Sequence, residues 1–442
     1  MQRAFHELIR AAETAADQVA KGPVTTDVGA DEVRRALAHY DFVEPQPLLD
    51  LTRDVTQMLA QWTVHVTHPR YFGLFNPSVS IAGVVADTIA AIYNPQLASW
   101  SHAPAAQEIE RHVLRWVGSK LGITEFANFT SGGAEANQTA LLCALARFHP
   151  GWRKRGVRGR TAMLVTSESH HSFAKAAVMA GLGTDAVRQV GVDRDGRMDL
   201  DDLAAKVKRW KPFLVVGTAG TTSSGVIDPL GGIADILRNR NTWFHADAAW
   251  GGAAAVSPSL RRHLDGIERA DSITCDAHKW FSVPMGAGMF FTRHRDAVEH
   301  AFAVETPYMP ARLAGTDHPF ETTMQWSRRF IGLKVFLTIA ELGERGLAAR
   351  IEHQARMGDY LRKALASAGW KVVNRTPLPL VCFTRVRLDI DGFLRRLLSK
   401  QVAWMSPVRI AGGPSVVRAC ITSFRTTERE IDAVVEGMGT CL

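Results

Sequence analysis

The sequence predicts an α/β protein: a mainly parallel β-sheet with helices on both faces, followed by a small C-terminal α+β domain. Between about residues 81 and 335, helical stretches alternate with short apolar runs, namely TAMLVT, FLVVGTAG, TWFHAD, DSITCD and GAGMFFT. Such an alternation is typical of parallel strands joined by helical crossovers. After about residue 336 the pattern changes, and a long helical stretch precedes the strand-like runs WKVVN, LVCFTRV and VVRACITS and two shorter helical segments.

These patterns divide the chain into three parts. Residues 1–80 are predicted to form an N-terminal helical segment, residues 81–335 a large domain and residues 336–442 the small α+β domain. The first part ends in the aromatic-rich stretch HPRYFGLFNPSVS, in which Pro69, Gly73 and Pro77 interrupt any regular element. We therefore expect no independent core in the N-terminal segment.

The composition excludes several functional classes. The chain has 442 residues, 46% of them hydrophobic, and a net charge of +8. Its basic residues are scattered rather than gathered in one arm, which argues against nucleic-acid binding. The five cysteines include no CxxC pair, so neither a disulfide framework nor a zinc ribbon is expected. The sequence has no signal-peptide pattern and no apolar stretch of about 18 residues, so we expect a soluble cytoplasmic protein without a membrane partner. We also expect no bound metal.

Polar residues follow the predicted strands at the points where those strands end. In an open parallel sheet, ligands bind beyond the carboxyl ends of the strands. Asp247 ends TWFHAD, His278 and Lys279 follow SITCD, and SESHHS follows TAMLVT. Upstream, Gly132 and Gly133 precede a helix, where backbone N–H groups and the helix dipole favour an anion such as phosphate. A glycine pair alone is more often a tight turn, and this one matches neither a P-loop nor GxGxxG.

Taken together, these parts indicate a cofactor. A phosphate nest, an acidic strand end and a His-Lys pair are what is needed to bind pyridoxal phosphate by its phosphate, ring nitrogen and aldehyde. On these residues the sequence resembles the group II pyridoxal-phosphate-dependent amino acid decarboxylases of fold type I, which include aromatic L-amino acid, histidine and glutamate decarboxylases. The matching motifs occur in the family's order across most of the chain: SGGAEAN, SESHHS, GTAGTT, HADAAWGG, SITCDAHKW, PYMP and SRRF.

The resemblance implies roles for the residues around Lys279. Lys279 corresponds to the lysine that holds the cofactor as a Schiff base, and His278 to a histidine that contacts the phosphate. Ser272 and Asp276 fall where the family places further contacts with the phosphate or the lysine. Asp276 departs from the asparagine usual in several animal relatives, and because a carboxylate repels a phosphate, we expect its contact to be indirect.

The remaining cofactor contacts are implied in the same way. Asp247 corresponds to the residue that keeps the pyridine nitrogen protonated and so makes the ring a better electron acceptor. Taken alone, it would also fit an N-cap aspartate. His170 corresponds to the histidine that stacks on one ring face, Ala249 lies against the other, and Thr218 stands near the ring oxygen or the lysine. The phosphate-binding positions are Ser131, Gly132, Gly133 and Ala134.

Tyr308 lies in a stretch whose prolines and glycines preclude a regular element. In the resembling enzymes this loop closes over the site, and its tyrosine returns a proton to Cα after carbon dioxide leaves. The resemblance therefore implies that Tyr308 favours simple decarboxylation over aldehyde formation, although an aldehyde synthase, a lyase or an aminotransferase stays open. The residues expected to be catalytic are Lys279, Tyr308, His170 and Asp247.

The resemblance also places the substrate side chain between HPRYFGLFNP and NPQLASW, with some groups crossing from the partner subunit of a homodimer. The candidate contacts are Leu74, Phe75, Ala98 and Trp100. An apolar lining favours an aromatic or large apolar side chain over an acidic one, because a buried carboxylate would need a dedicated partner. Arg70, Arg312 and His318 are candidates for that partner, so an acidic substrate stays open as the alternative.

Overall fold

A computed structural model describes residues 2–149, 151–159, 161–309 and 313–442 of the chain. The N-terminal helices are α1 (Gln2–Lys21), α2 (Ala30–Leu37) and α3 (Leu48–Trp62). Neither α2 nor α3 contains a buried residue, and Leu37, Val55 and Leu59 are exposed. The apolar faces of these helices are therefore left open within the chain.

The irregular stretch after α3 packs on the C-terminal part of the protein. Phe72 is completely buried there. Its N–H donates to the Trp404 carbonyl and its own carbonyl accepts from the Cys420 N–H, both at 2.9 Å. These backbone hydrogen bonds hold the neighbouring residues Leu74 and Phe75 close to the C-terminal sheet.

The centre of the molecule is a seven-stranded sheet with the order β1-β7-β6-β5-β4-β2-β3. Its strands are β1 (Phe126–Thr130), β2 (Met163–Thr166), β3 (Val187–Val190), β4 (Leu214–Thr218), β5 (Trp243–Asp247), β6 (Ser272–Asp276) and β7 (Gly288–Thr292). Strand β7 is antiparallel to both of its neighbours, and the other pairings are parallel. The predicted mainly parallel sheet is confirmed.

Helices cover both faces of this sheet. They are α4 (Ile81–Tyr93), α5 (Pro104–Leu121), α6 (Gly133–Phe148), α7 (Trp152–Arg155), α8 (Ser172–Met179), α9 (Leu200–Trp210), α10 (Leu230–Leu237) and α11 (Arg295–Phe302). In β4, Val215 belongs to one buried cluster while Leu214 and Val216 belong to another. Successive strand residues point to opposite faces, so each face has its own apolar layer.

The C-terminal part is a second, smaller α+β unit. It consists of α12 (Gly332–Ser367), β8 (Lys371–Val372), β9 (Leu380–Thr384), α13 (Ile390–Ser399), β10 (Ser406–Arg409), β11 (Ser415–Cys420) and α14 (Glu428–Gly439). Its four strands pair antiparallel in the order β10-β11-β9-β8. Helix α12 is interrupted at Gly343, whose φ of 64° is left-handed.

Every apolar run read from the sequence coincides with a strand, but β1, β3 and β10 were missed. Each of the three lies at an edge of its sheet. An edge strand is paired on one side only and tolerates polar residues or proline. The sequences FANFT, VRQV and SPVR show this mixture, so they lack the apolar signal of central strands. Separately, no helix in the described ranges is long and apolar enough to span a membrane.

One prediction concerns Gly288, the first residue of β7, which lies against the turn between β1 and α6. A Cβ atom at this position would lie 2.6 Å from Gly132 Cα. We expect Gly288→Ala to lower the free energy of unfolding by about 1–3 kcal/mol, because backbone atoms must shift to make room. In a urea titration the midpoint should fall, whereas Gly439→Ala, whose added Cβ meets no atom within 4 Å at the end of α14, should not lower it. Equal midpoints for the two variants would contradict this account.

Candidate active site

A cavity of about 270 Å³ lies beyond the carboxyl ends of β2, β4, β5 and β6, beside the first turn of α6. Parallel pairing brings these strand ends to one edge of the sheet, and Thr218 lies directly opposite Asp247. The lining residues are Phe75, Gly132, Gly133, Ala134, Asn137, Glu168, His170, Thr218, Gly220, Thr222, Asp247, Ala249, Trp250, Asp276, His278 and Lys279.

Asp247 is held in the cavity wall by neutral donors. Its Oδ2 accepts from Asn137 Nδ2 at 2.9 Å, and its Oδ1 accepts from the Ala249 N–H at 3.2 Å. Asn137 is fixed in turn, since its Oδ1 accepts from the Thr274 hydroxyl at 2.8 Å and lies 3.1 Å from His245 Nε2. Burial lowers the pKa of His245 to about 4, so this imidazole is neutral. Within the described ranges, no cationic side chain forms an ion pair with Asp247.

His170 belongs to the same hydrogen-bond network. Asn137 Nδ2 also donates to Ser172 Oγ at 3.0 Å, and this oxygen lies 2.8 Å from His170 Nδ1. The Ser172 N–H donates to the same ring nitrogen at 3.2 Å, which makes Nδ1 an acceptor and places the proton of the neutral ring on Nε2. Burial lowers the pKa of His170, which favours that neutral form. The ring is therefore fixed as a flat wall of the cavity.

Lys279 lies in the turn after β6, and its side chain is 20% exposed. Its Nζ is 3.3 Å from Asp276 Oδ2 and 5.3 Å from the centre of the Phe75 ring. Next to it, His278 Nδ1 accepts from the Ala287 N–H at 3.1 Å, and burial lowers the pKa of His278. The cavity thus contains an amine beside a neutral imidazole whose Nε2–H can donate to a ligand.

The start of α6 is in direct contact with Asp276. The Gly133 N–H donates to Asp276 Oδ2 at 3.1 Å, and a Cβ on Gly133 would lie 2.8 Å from that oxygen and 3.2 Å from the Ala249 Cβ. The other oxygen, Asp276 Oδ1, is buried and has no hydrogen-bond partner among the described residues. Asp276 therefore lies at the helix start that is predicted to bind the cofactor's phosphate.

Thr218 ends β4 with a hydroxyl that is buried and has no hydrogen-bond partner in the described chain. Its backbone is held from the other side, because its N–H donates to Asp228 Oδ2 at 2.7 Å and the Met198 N–H donates to Asp228 Oδ1 at 2.8 Å. Burial raises the pKa of Asp228 to about 6. The fixed strand end leaves the Thr218 hydroxyl available to a ligand in the cavity.

Most of the predicted cofactor contacts meet in this cavity, namely Gly132, Gly133, Ala134, His170, Thr218, Asp247, Ala249, Asp276, His278 and Lys279. Ser131 does not line it, since this residue is exposed and its N–H donates to Glu135 Oε2 at 2.7 Å. Ser272 requires a correction. It is the first residue of β6, at the end of the strand away from the cavity, and its Oγ is 2.8 Å from both Trp243 Nε1 and His245 Nδ1. Ser272 therefore supports the hydrogen-bond network behind Asp247 and does not line the cavity.

The predicted substrate contacts are dispersed within a single chain. Phe75 lines the cavity, whereas Leu74 is 50% exposed outside it. Ala98 is buried, and its carbonyl accepts from the Phe320 N–H. Trp100 lines a separate polar cavity of about 340 Å³. The pocket expected between the two stretches is thus not assembled among the described residues of this chain.

Tyr308 also lies away from the cavity. It is 72% exposed, and its ring stacks on Trp326 with 6.1 Å between the ring centres. Of the residues considered as partners for an acidic substrate, Arg70 and His318 do not line the cavity, and Arg312 lies outside the described residues.

Several residues of the site were not identified from the sequence. Glu168, Asn137 and Trp250 line the cavity. Glu168 comes just after β2, so the strand-end argument that selected Asp247 also applied to it. Arg418 in β11 is 2% exposed, its guanidinium lies 4.8 Å from the Phe75 ring centre, and its Nη2 has no hydrogen-bond partner among the described residues. Its signal in the sequence is a charge inside the apolar run VVRACITS.

The arrangement fits pyridoxal phosphate. The buried carboxylate of Asp247, which lacks a cation, suits a protonated ring nitrogen. The Thr218 hydroxyl, which has no partner in the described residues, suits the polar edge of the cofactor ring. The amine of Lys279 suits its aldehyde, and the flat ring of His170 suits its ring face. Among the described residues, no group of three or more His, Cys, Asp or Glu side chains could hold a metal ion.

Comparisons with known proteins agree with this fit. The model of a family described as the pyridoxal-dependent decarboxylase conserved domain matches residues 34–386. The chain is 36% identical to L-2,4-diaminobutyrate decarboxylase of Rhizobium meliloti over 320 residues, which cover 69% of this chain and 63% of that protein. It is 27% identical to an aromatic-L-amino-acid decarboxylase of Bacillus atrophaeus, over 92% of this chain and 88% of the relative.

Solved structures share the fold. Mouse CSAD superposes with a TM-score of 0.92 at 24% identity, over 100% of this chain and 97% of that one. The Oryza sativa TDC structure with PLP and tryptamine gives the same TM-score, identity and coverage. With the family model matching most of its length, the chain belongs to the pyridoxal-phosphate-dependent amino acid decarboxylases, a family of carboxy-lyases of fold type I.

Proposed function

We propose that this chain removes the α-carboxylate of an L-amino acid, giving the amine and carbon dioxide, with pyridoxal phosphate attached to Lys279. The observation that carries the proposal is the meeting of Lys279, His278, Asp247 and His170 around one cavity at the carboxyl edge of the sheet. When bound there, the cofactor supplies an electron sink for the bond that breaks at Cα.

The protein's own groups would hold the reactants. Asp247, which Asn137 fixes, would pair with the ring nitrogen and favour its protonated form, and His170 would cover one face of the ring. The His278 Nε2–H and the start of α6 are placed to hold the phosphate. This anchoring fixes the orientation of the substrate, which determines the Cα bond that is broken.

Arg418 is our candidate for the partner of the substrate's α-carboxylate. It is a buried cation with one nitrogen that has no partner in the described residues, and it lies against Phe75, which lines the cavity. Its other two nitrogens donate to the carbonyls of Thr222 and Gly73 at 2.8 and 2.7 Å. These bonds fix the guanidinium behind Phe75, and Nη2 is the nitrogen without a partner in the described residues. Arg418 does not itself line the cavity, so its contact with a substrate carboxylate requires Phe75 to move.

We propose a homodimer with active sites at the subunit interface, in which Tyr308 acts on the partner's site. The exposure of Tyr308 and the distance of Trp100 and Leu74 from the cavity support this arrangement. The open apolar faces of α2 and α3 support packing of the N-terminal segment on the partner. All five cysteines are buried and free, which supports a reducing, cytoplasmic compartment.

The walls of the cavity bear on the side chain of the substrate. Phe75 and Trp250 form an aromatic wall with 4.6 Å between their ring centres, which suits carbon atoms in the substrate side chain, as in the apolar or aromatic side chain expected from the sequence or in the methylene stem of a longer one. The relatives act on aromatic, acidic and diamino substrates according to their names. An acidic side chain would need a cation in the cavity. The lining instead provides the carboxylate of Glu168, which would repel it.

The test of the central proposal is the covalent attachment of the cofactor to Lys279. Borohydride reduction of the holoenzyme followed by peptide mapping should find the label on Lys279, and Lys279→Ala should abolish carbon dioxide release without unfolding the chain. Lys206→Ala removes a lysine that pairs with Asp202 on α9 and should leave both results unchanged. Label on another amine would overturn the assignment.

Tyr308 is tested by the products. Tyr308→Phe should lower the rate of amine formation by about 100-fold or more, since a placed general acid contributes about 10²–10⁴-fold. Binding of the cofactor, followed by its absorbance, should not change. Tyr360→Phe removes a hydroxyl that bonds Asp432, far along α12, and should form amine at the normal rate. Normal amine formation by Tyr308→Phe would remove this tyrosine from the mechanism.

Asp276 is tested by the affinity for the cofactor. Its carboxylate accepts from Gly133 N–H at the expected phosphate site, so it opposes a phosphate dianion. Asp276→Asn keeps an oxygen acceptor without the charge, and we expect the Kd for pyridoxal phosphate to fall about tenfold, a Coulomb difference of roughly 1.4 kcal/mol at partly screened distances. Asp235→Asn, on the surface of α10, is the control for loss of a carboxylate. An unchanged or higher Kd for Asp276→Asn would show that the carboxylate does not oppose the phosphate.

A further inference from the structure

Three carboxylates line the active-site cavity: Asp247, Asp276 and Glu168. Asp276 has a cation of its own, since Lys279 Nζ lies 3.3 Å from Oδ2. Asp247 has neutral donors only, and its missing cation is accounted for by a protonated ring nitrogen of the cofactor. Glu168 is the third, and neither the chain nor the cofactor accounts for its charge.

Glu168 is nearly buried at the end of β2, with 8% of its surface exposed. Its Oε1 accepts from the Ala411 N–H at 2.9 Å, and its Oε2 accepts from the Ser223 hydroxyl. Both donors are neutral. In the part of the chain that the structure describes, no lysine, arginine or histidine forms an ion pair with Glu168.

A carboxylate taken out of water needs a compensating positive charge or dense hydrogen bonding. Two neutral hydrogen bonds occupy about half of the four lone-pair sites of a carboxylate, so Glu168 retains acceptor capacity toward the cavity. The cation that completes the pair must then come from the molecule that binds. The cofactor's own cationic nitrogen is already matched by Asp247, which leaves the substrate as the source.

We propose that Glu168 binds a cationic nitrogen on the side chain of the substrate, so that the preferred substrates are aliphatic diamino acids. This inference rests on the proposed decarboxylase function and specifies its substrate class. The walls formed by Phe75 and Trp250 suit the methylene stem of such a side chain, because an apolar chain that ends in an ammonium presents carbon to the rings and charge to the carboxylate. An acidic side chain meets repulsion at the same place.

The experiment compares each cationic substrate with its isosteric neutral analogue on the holoenzyme. The pairs are L-2,4-diaminobutyrate with L-norvaline, and L-ornithine with L-norleucine. We expect a higher kcat/KM for the cationic member of at least one pair. Glu168→Gln should reduce that preference by about 10- to 100-fold, the range for loss of a charge-assisted hydrogen bond, while the neutral analogue is affected little.

Ser223→Ala is the matched control. It removes the hydroxyl that bonds Glu168 Oε2 and leaves the carboxylate in place. If Glu168 pairs with the substrate, Ser223→Ala keeps the preference for the cationic member. If Glu168 serves only to join β2 to the segment around Ala411, then Glu168→Gln and Ser223→Ala lower kcat/KM for both members alike, and the inference is overturned.

The outcomes separate this inference from the function on which it rests. Carbon dioxide release from neutral, aromatic or acidic amino acids, with no preference for the cationic ones, would reject the role of Glu168 and leave the decarboxylase function standing. A holoenzyme that carries the cofactor on Lys279 and releases carbon dioxide from none of the twenty amino acids or the diamino acids would reject both.

Discussion

The site depends on the hydrogen bonds of one buried amide, Asn137. Through Nδ2 it holds Asp247 at the end of β5 and Ser172 at the start of α8, and through Oδ1 it accepts from Thr274 in β6. Asn137 itself belongs to the first turns of α6, whose start faces the same cavity. The Asn137 side chain thus connects Asp247, which would pair with the ring nitrogen, to Ser172, which holds His170, and to the start of α6. Removing it would leave several buried polar groups unsatisfied at once.

Charge balance gives the cavity its chemical character. A neutral His170, a neutral His278 and a single lysine face three carboxylates, so the lining has an excess of negative charge before any ligand binds. The cationic ring nitrogen and a side-chain ammonium would each neutralise one carboxylate. Asp276 is different, because its carboxylate lies where the cofactor's phosphate is expected and instead pairs with Lys279. The same cavity therefore suits the cationic ring of the cofactor, while at the phosphate the donors of His278 and the α6 start act against the charge of Asp276.

Most of the fold could be predicted from the sequence, as could most of the cofactor site. Central strands are buried on both faces and appear as apolar runs, which is why β2, β4, β5, β6 and β7 were found, while the edge strands β1, β3 and β10 were missed. The expectation for Ser272 came from the family resemblance, which places a contact with the phosphate or the lysine there. The strand β6 separates Ser272 from Lys279, so Ser272 lies behind the sheet edge and Lys279 in front of it.

The sequence alone determined the central strands, the family and the residues that follow strand ends, because those properties depend on local pattern and on the order of motifs along the chain. The tertiary structure decided which charges have partners. Glu168 meets Ala411 across 243 residues, and Arg418 meets Gly73 across 345. Pairing over such separations depends on how the two sheets pack against each other, and no local pattern in the sequence encodes whether a buried carboxylate finds a cation.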